Sequence, residues 1–212
     1  IEGYVPTIIS QVDDYFTEFM GWVDEFRTME VRANAETPHD VKVARQFGAQ
    51  GVGLCRTEHM FFGEERIASM REMILSHSRH EREAALDKIF PAQKSDFKGI
   101  FKEMKGFPVT IRLLDPPLHE FLPHSEEELK SVAKAMQTTP QLLMAKARSL
   151  KELNPMLGHR GCRLAITYPE IYIMQARAVM EAAAELVRDE DFTIEPEIMI
   201  PFVGSEEELR SL

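Results

Sequence analysis

The alternation of short β-prone runs with longer helical patterns constrains the fold of this chain more than any other feature. The β-prone runs are Met29–Ala35, Gly51–Cys55, Phe107–Leu114 and Glu197–Pro201. A strand, a helix and a second strand fit the roughly 30 residues of a parallel βαβ unit. Parallel strands that alternate with helices predict an α/β fold, and the closed form of such a sheet is the (β/α)₈ barrel. The sequence therefore predicts a partial (β/α)₈ TIM barrel with about four parallel strands and helical insertions.

Helical patterns fill the segments around these runs. Apolar residues three and four positions apart predict a first helix over Val12–Arg27. Thr37 is a candidate N-cap for a helix whose first residue is Pro38, and Ser205 is a candidate cap for a last helix. The segment 154–163 is predicted to be a loop. Further helices are predicted over residues 65–76, 81–104, 126–136, 140–153 and 171–186.

The predicted elements divide the chain into three parts. Residues 1–9 hold a brief β-prone stretch that Pro6 interrupts, residues 10–28 form a linker helix, and residues 29–212 form the partial barrel. The chain begins without a methionine and stops inside a helical pattern. We therefore expect it to be a segment of a longer polypeptide.

Charge and cysteine content exclude several classes of protein. The 212 residues contain 35 acidic and 25 basic side chains, a formal charge of -10, which argues against binding nucleic acid through a wide basic surface. Two cysteines form neither a CxxC motif nor a disulfide framework, so we expect a reducing cytoplasm. The sequence has no apolar run near the roughly 18 residues of a membrane span.

Three arginines follow or end the predicted strands. Arg56 comes after the second strand, Arg112 lies in the third, and Arg160 lies in a glycine-flanked loop after it. Catalytic residues of barrels lie at the carboxyl ends of the strands, and guanidinium groups suit a small anion that carries a phosphate and a carboxylate. An alternative is that Arg56 pairs with Glu58 or Asp115 for structural reasons. Spacing alone leaves both interpretations open.

Other chemically active residues give weaker signals. Glu58 and Asp115 could bind magnesium, although two acids on separate strands are more often partners of nearby arginines. His77 and His80 have an HxxH spacing, but no third ligand is close in the sequence and we expect both to be solvated.

The remaining histidines and the cysteines have both a chemical and a structural interpretation. His59, His119 and His124 could donate protons, but each could equally bond its own loop, and His59 is the best placed because it follows the arginine motif. Cys55 and Cys162 could be nucleophiles, but a buried thiol is the default interpretation.

Five segments carry a resemblance to a known family. They are Val31–Ala35, Gly51–Phe62, Thr110–Phe121, Asn154–Leu164 and Pro196–Pro201. In this order they resemble the phosphoenolpyruvate-utilising enzymes, and within that group the pyruvate, phosphate dikinase family. The Arg-Thr-Glu run at the second strand is similar to that of phosphoenolpyruvate synthase and of the sugar phosphotransferase enzyme I, whereas Leu114–Phe121 favours the dikinases.

The resemblance implies a phosphotransferase that interconverts ATP, phosphate and pyruvate with AMP, diphosphate and phosphoenolpyruvate through a phosphohistidine. It implies that residues 1–9 end the phosphohistidine domain and that the rest holds the first half of the phosphoenolpyruvate- and pyruvate-binding barrel. It assigns Arg56, Arg112 and Arg160 to substrate binding. The family's Mg²⁺ ligands and catalytic cysteine are expected beyond Leu212, so this chain should hold no metal site.

The resemblance also implies the partners of the chain. They are phosphoenolpyruvate or pyruvate and the remaining domains of the same enzyme, which is expected to be a homodimer when complete. The segment alone is predicted to be inactive. The competing hypothesis is a free-standing anion-binding module without catalysis.

If the chain forms half a barrel, one further structural feature is expected. Both outer strands should expose unpaired backbone groups, and the face that completes the barrel should be apolar and exposed.

Overall fold

A computed structural model describes residues 12–123, 125–190 and 193–212 of the chain. Its sheet has four parallel strands in the order β1-β2-β3-β4. They are β1 (Ala33–Asn34), β2 (Val52–Arg56), β3 (Pro108–Arg112) and β4 (Glu195–Met199). Because every pairing is parallel and helices connect the strands, the predicted partial (β/α)₈ barrel is confirmed.

The helices lie close to their predicted positions. They are α1 (Asp14–Phe26), α2 (Pro38–Gln46), α3 (Glu64–Leu75), α4 (Arg79–Glu103), α5 (Glu126–Ala135), α6 (Pro140–Leu150), α7 (Gly161–Thr167), α8 (Pro169–Glu190) and α9 (Glu206–Arg210). Two short 3₁₀ helices, Thr57–Phe61 and Leu118–Phe121, follow β2 and β3. The predicted cap of α2 is confirmed, since Thr37 and Asp40 form a reciprocal capping box.

Two predicted elements differ from the structure. The run Met29–Ala35 forms only the two-residue strand β1, and a register shift in its pairing with β2 falls between Ala33 and Asn34. Its backbone still pairs outside β1, where the Gln50 amide donates to the Val31 carbonyl at 2.8 Å. The predicted loop 154–163 is also partly wrong, since α7 begins inside it at Gly161.

Two apolar clusters hold the elements together. One lies between the sheet and the helices α2, α4 and α8, and it includes Val52, Cys55, Phe97, Ile111 and Val179. The other lies among the helical insertions, and it includes Phe61, Met73, Leu114, Phe121, Leu143 and Leu164. The helices therefore cover one face of the sheet, as in the wall of a barrel.

One ion pair crosses the face of the sheet that carries no helices. Arg32, just before β1, donates from Nη1 to Oε2 of Glu197 on β4 at 2.7 Å. The Thr110 hydroxyl on β3 also donates to Glu197 on this face. We call it the inner face, and these contacts show that it carries charge.

The inner face is largely polar, and the expected exposed apolar surface lies instead at β4 and the segment after it, where Ile198, Phe202 and Val203 are each more than a third exposed. Side chains alternate along a strand, so residues in register with Arg112 and Thr110 share the inner face. Their partners are Arg56 on β2 and Glu197 and Met199 on β4. Among the described strands, β1 and β4 each pair on one side only, as predicted for the outer strands.

Helix α1 extends from the rest of the described chain with no buried residue. Its apolar stripe is exposed, with Phe16 making an edge contact to Phe47 at 6.3 Å between ring centroids. The predicted segment 1–9 lies outside the described residues. The assignment of residues 10–28 as a linker helix stays a prediction, although its helical content is confirmed over Asp14–Phe26.

Candidate functional site

Two of the predicted arginines end neighbouring strands. Arg56 is the last residue of β2, Arg112 is the last residue of β3, and the two are register partners. The preceding pair, Cys55 and Ile111, points into the apolar cluster and is fully buried. Because side chains alternate, both arginines point to the opposite, inner face at the carboxyl end of the sheet.

Backbone hydrogen bonds bring the third arginine to the same end. Arg160 is the N-cap of α7, and the next two amides donate at 3.0 Å to the carbonyls of Asp115 and Pro201, from Gly161 and Cys162 respectively. Gly161 has φ +57°, and a Cβ there would lie 2.9 Å from the Pro201 carbonyl oxygen. Only glycine adopts this conformation without strain and leaves room for the carbonyl oxygen. Gly161 therefore fixes the position of the neighbouring Arg160.

Arg112 and Arg160 share one counterion. The Arg160 guanidinium donates to both oxygens of Asp115, at 3.2 Å from Nε and 2.6 Å from Nη2. Arg112 Nη1 lies 3.0 Å from Asp115 Oδ2, and Arg112 Nη2 also donates to Glu58. We call Glu58, Arg112, Asp115 and Arg160 the central cluster. Its members alternate in charge and are largely buried, so each guanidinium is held in place.

Arg56 has a different partner from either one predicted. It donates from Nη1 to Glu36 at 2.7 Å, and the other oxygen of Glu36 pairs with Nδ1 of His59. The proposed pairing of Arg56 with Glu58 or Asp115 is therefore wrong, because the 3₁₀ turn after β2 directs Glu58 toward β3 instead. We call Glu36, Arg56 and His59 the outer group.

Sequence reasoning did not single out Glu36. Its position directly after the β1 segment was the available signal, since carboxyl ends of parallel strands meet at one edge. Burial alone would raise the pKa of Glu36, but hydrogen bonds from Arg56 and His59 outweigh that effect and hold the pKa below its ordinary value.

The central cluster keeps unused hydrogen-bonding capacity. Arg112 Nε and Glu58 Oε2 are buried without a hydrogen-bond partner among the described residues. A guanidinium has five N–H donors, and the two carboxylates engage only part of those on Arg112 and Arg160. The cluster can therefore hold its arginines rigidly and still offer N–H groups to an anion.

Both cysteines are buried thiols, as the structural interpretation of the sequence predicted. Both are fully buried. Burial raises the pKa of Cys55 to about 12 and also raises that of Cys162, whose thiol donates to the Phe202 carbonyl at 3.3 Å. A thiol that stays protonated is a poor nucleophile.

The histidines separate into exposed and loop positions. His77 and His80 are exposed, as predicted. His59 is half exposed and belongs to the outer group. His119 lies in the second 3₁₀ helix, where its Nδ1 is buried without a partner among the described residues, and His124 lies outside them.

The described residues do not assemble a metal site. They contain no group of three or more His, Cys, Asp or Glu side chains that could hold an ion. Glu58 and Asp115, the predicted candidates, are both ion-paired with arginines of the central cluster. The two carboxylates are thus partners of the guanidinium groups, as the ion-pair interpretation of the sequence predicted.

Fold and site together define a barrel-type α/β domain with an arginine-lined site at the carboxyl ends of its strands. Residues 11–212 match the phosphoenolpyruvate-binding domain of the phosphoenolpyruvate-utilising enzymes. The chain belongs to this family, and the resemblance found in its sequence is confirmed.

Curated relatives narrow the position of the chain within the family. It is 54% identical over 209 residues to pyruvate, phosphate dikinase of Clostridium symbiosum, covering 99% of the chain and 24% of that protein. It is 53% identical over 207 residues to the dikinase of Giardia intestinalis, covering 98% of the chain and 23% of that protein. It is 52% identical over 193 residues to the chloroplastic pyruvate, phosphate dikinase 1 of Arabidopsis thaliana, covering 90% of the chain and 20% of that protein. The chain thus spans about a quarter of the length of these relatives or less.

Among the described residues, the helices lack the combination of length and hydropathy that a transmembrane span requires.

Proposed function

We propose that this chain is the phosphoenolpyruvate- and pyruvate-binding part of a pyruvate, phosphate dikinase. That enzyme interconverts ATP, phosphate and pyruvate with AMP, diphosphate and phosphoenolpyruvate through a phosphohistidine. The observation that carries the proposal is the convergence of Arg56, Arg112 and Arg160 at one end of the sheet, with two of them joined through Asp115. The identity to relatives named pyruvate, phosphate dikinase supports the choice of reaction.

In this proposal the arginines bind the phosphoryl group and the carboxylate of phosphoenolpyruvate. Guanidinium groups remain charged at any physiological pH and donate in a planar fork that matches both anions. Asp115 and Glu58 hold Arg112 and Arg160 before substrate arrives, so little side-chain entropy is lost on binding. Fixed cations near a transferring phosphoryl group also stabilise the charge that develops on it.

The remaining parts of the reaction lie outside the described residues in this proposal. Mg²⁺ would neutralise substrate oxygens when bound, but its ligands and the catalytic cysteine are proposed to follow Leu212. The phosphohistidine domain is proposed to end at residues 1–9. The complete enzyme, meaning this chain joined to the other domains of a dikinase, is proposed to be a homodimer.

A cytoplasmic location is also part of the proposal. Cys55 and Cys162 are free thiols, as is typical of proteins in a reducing compartment. Fractionation of the source cells tests this location, and recovery in an organelle, as the description chloroplastic of the Arabidopsis thaliana relative suggests for that protein, would contradict it.

Catalysis is proposed to need the whole enzyme. The arginines are proposed to bind substrate and the Mg²⁺ ligands are proposed to follow Leu212, so the 212-residue chain alone should not convert phosphoenolpyruvate to pyruvate. A coupled assay for pyruvate with AMP, diphosphate and Mg²⁺ tests this. If the chain alone produced pyruvate above the blank, and the Arg112→Ala variant did not, the proposal that catalysis needs the whole enzyme would be contradicted.

Binding of phosphoenolpyruvate to the complete enzyme tests the assigned site. Arg112→Ala and Arg160→Ala should each weaken binding by about tenfold or more, because a charge-assisted hydrogen bond contributes about 1.5 to 3 kcal/mol. Arg163→Ala is the matched control, since Arg163 lies in the helix α7 that Arg160 caps but is more exposed and donates to the Leu157 carbonyl in the preceding loop. Wild-type affinity in both Arg112→Ala and Arg160→Ala would contradict the assignment of these arginines to the substrate site.

A further inference from the structure

A buried glutamine on α8 forms hydrogen bonds through both the oxygen and the nitrogen of its side-chain amide to the segments that follow β2 and β3. Gln175 is fully buried. Its Oε1 accepts a hydrogen bond from the Leu114 amide at 2.8 Å, and its Nε2 donates to Thr57 Oγ1 at 3.0 Å. The helix that covers the sheet is therefore bonded to the segments that follow both β2 and β3.

The chain of hydrogen bonds continues to an arginine of the site. Thr57 is also fully buried, and its hydroxyl donates to the Arg112 carbonyl at 3.0 Å. Thr57 directly follows Arg56, and Leu114 directly precedes Asp115. One side chain of α8 thus fixes the backbone next to residues of both the central cluster and the outer group.

The amide of Gln175 suits this position. It accepts from a backbone N–H through its oxygen and donates to a hydroxyl through its nitrogen, within one uncharged planar group. Tyr172, one turn earlier on α8, donates to the Leu114 carbonyl at 2.8 Å. An apolar residue in place of Gln175 would leave the Leu114 amide without this acceptor in a dry environment.

We propose that Gln175 is a positioning residue for the substrate-binding arginines, acting through Thr57 and the backbone of Arg112. Gln175 itself touches none of the guanidinium groups. It holds β2 and β3 in the relative position that places Arg56 beside Arg112. This inference rests on the proposed function, since the effect to be measured is the binding of phosphoenolpyruvate.

Variants of both hydrogen-bonding partners test the inference in the complete enzyme. Gln175→Met keeps the length of the side chain and removes the amide, and Thr57→Val keeps the shape and removes the hydroxyl. Each should weaken phosphoenolpyruvate binding, measured by calorimetric titration, by about tenfold. Thr57→Ser keeps the hydroxyl and should bind within about threefold of the wild type.

A double variant distinguishes positioning from general destabilisation. If Gln175 acts through Thr57, the combined Gln175→Met and Thr57→Val variant should bind no more weakly than either single variant. Val179→Ala is the matched control, because Val179 lies on the same helix and is equally buried but packs only in the apolar cluster. It should lower the melting temperature and leave the affinity unchanged.

The outcomes separate the inference from the proposed function. Folded Gln175→Met or Thr57→Val protein with wild-type affinity would overturn the inference, as would a Thr57→Ser variant as weak as Thr57→Val. If Gln175→Met fails to fold, the comparison of Thr57→Val with Thr57→Ser still decides. Wild-type affinity in Arg112→Ala would instead refute the proposed site and leave the position of Gln175 in the fold unaffected.

Discussion

The central cluster and the outer group use the same residue type in different ways. In the central cluster, Arg112 and Arg160 share Asp115 and are about 20% exposed. In the outer group, Arg56 is 33% exposed and bonds Glu36 through a single nitrogen. An arginine at a strand end is thus held either by a buried counterion that it shares with a second arginine or by a more solvated counterion that pairs with no other arginine. The two arrangements should respond differently to substitution.

Asp115→Asn should have the largest effect. It removes the charge that Arg112 and Arg160 share and leaves two partly buried cations side by side. Breaking such a buried pair costs about 3 kcal/mol or more of folding stability. Scanning calorimetry of the complete enzyme measures the loss, with Asp87→Asn on the exposed side of α4 as the matched control. An unchanged melting temperature would show that the central cluster does not depend on its shared counterion.

Conservative replacement of the arginines should separate the two regions. Arg112 contacts two carboxylates through different nitrogens, and a lysine ammonium cannot reproduce that fork. Arg112→Lys should therefore weaken phosphoenolpyruvate binding by about tenfold, and Arg56→Lys by about threefold. Titration calorimetry makes the comparison, and equal losses would mean that the two regions position their arginines alike.

Glu36→Gln should have a smaller effect that depends on pH. The folded pKa of Glu36 lies below its unfolded value near 4.5, so its ionised form stabilises the fold above that pH. The contribution, about 1 kcal/mol or less, is lost as the pH falls below 4.5 toward the folded pKa. Melting temperatures of wild type and variant should differ at pH 7 and converge progressively as the pH falls below 4.5. A constant difference across this range would contradict the assignment.

Arg210→Ala should have the smallest effect and sets the baseline. Arg210 pairs with Glu206 one turn away on α9, and both side chains are more than three-quarters exposed. Exposed pairs of this kind contribute little to stability because water and salt screen them. Melting temperature and phosphoenolpyruvate affinity should both match the wild type within error. A measurable loss of affinity would extend the site beyond the central cluster and the outer group.

The fold could be predicted largely because its signals are local. The capping residue Thr37, Pro38 at the helix start and the apolar runs of β2 and β3 each act within a few residues. The helix α7 was missed because its start depends on distant backbone groups, the carbonyls of Asp115 and Pro201. Such tertiary hydrogen bonds leave no periodic signal in the sequence.

In the candidate site, too, local features could be predicted from the sequence and tertiary contacts could not. Arg56 and Arg112 could be identified from their positions at strand ends, but their partners could not. Glu58 crosses to β3 and Glu36 reaches from the β1 segment, and both choices depend on the register of the sheet. Gln175 was not singled out, although it lies on the apolar stripe of α8 between Ile171 and Val179, because a polar residue within a helical pattern normally faces water.

The Arg32–Glu197 pair has a consequence for the order of folding. It joins residues 165 positions apart, so its formation closes almost the whole described chain into one loop. Contacts of such long sequence separation carry a large entropic cost and form after local ones. We expect the helical hairpin of α3 and α4 to be native early, and the contact that links the β1 segment to β4 to be completed late.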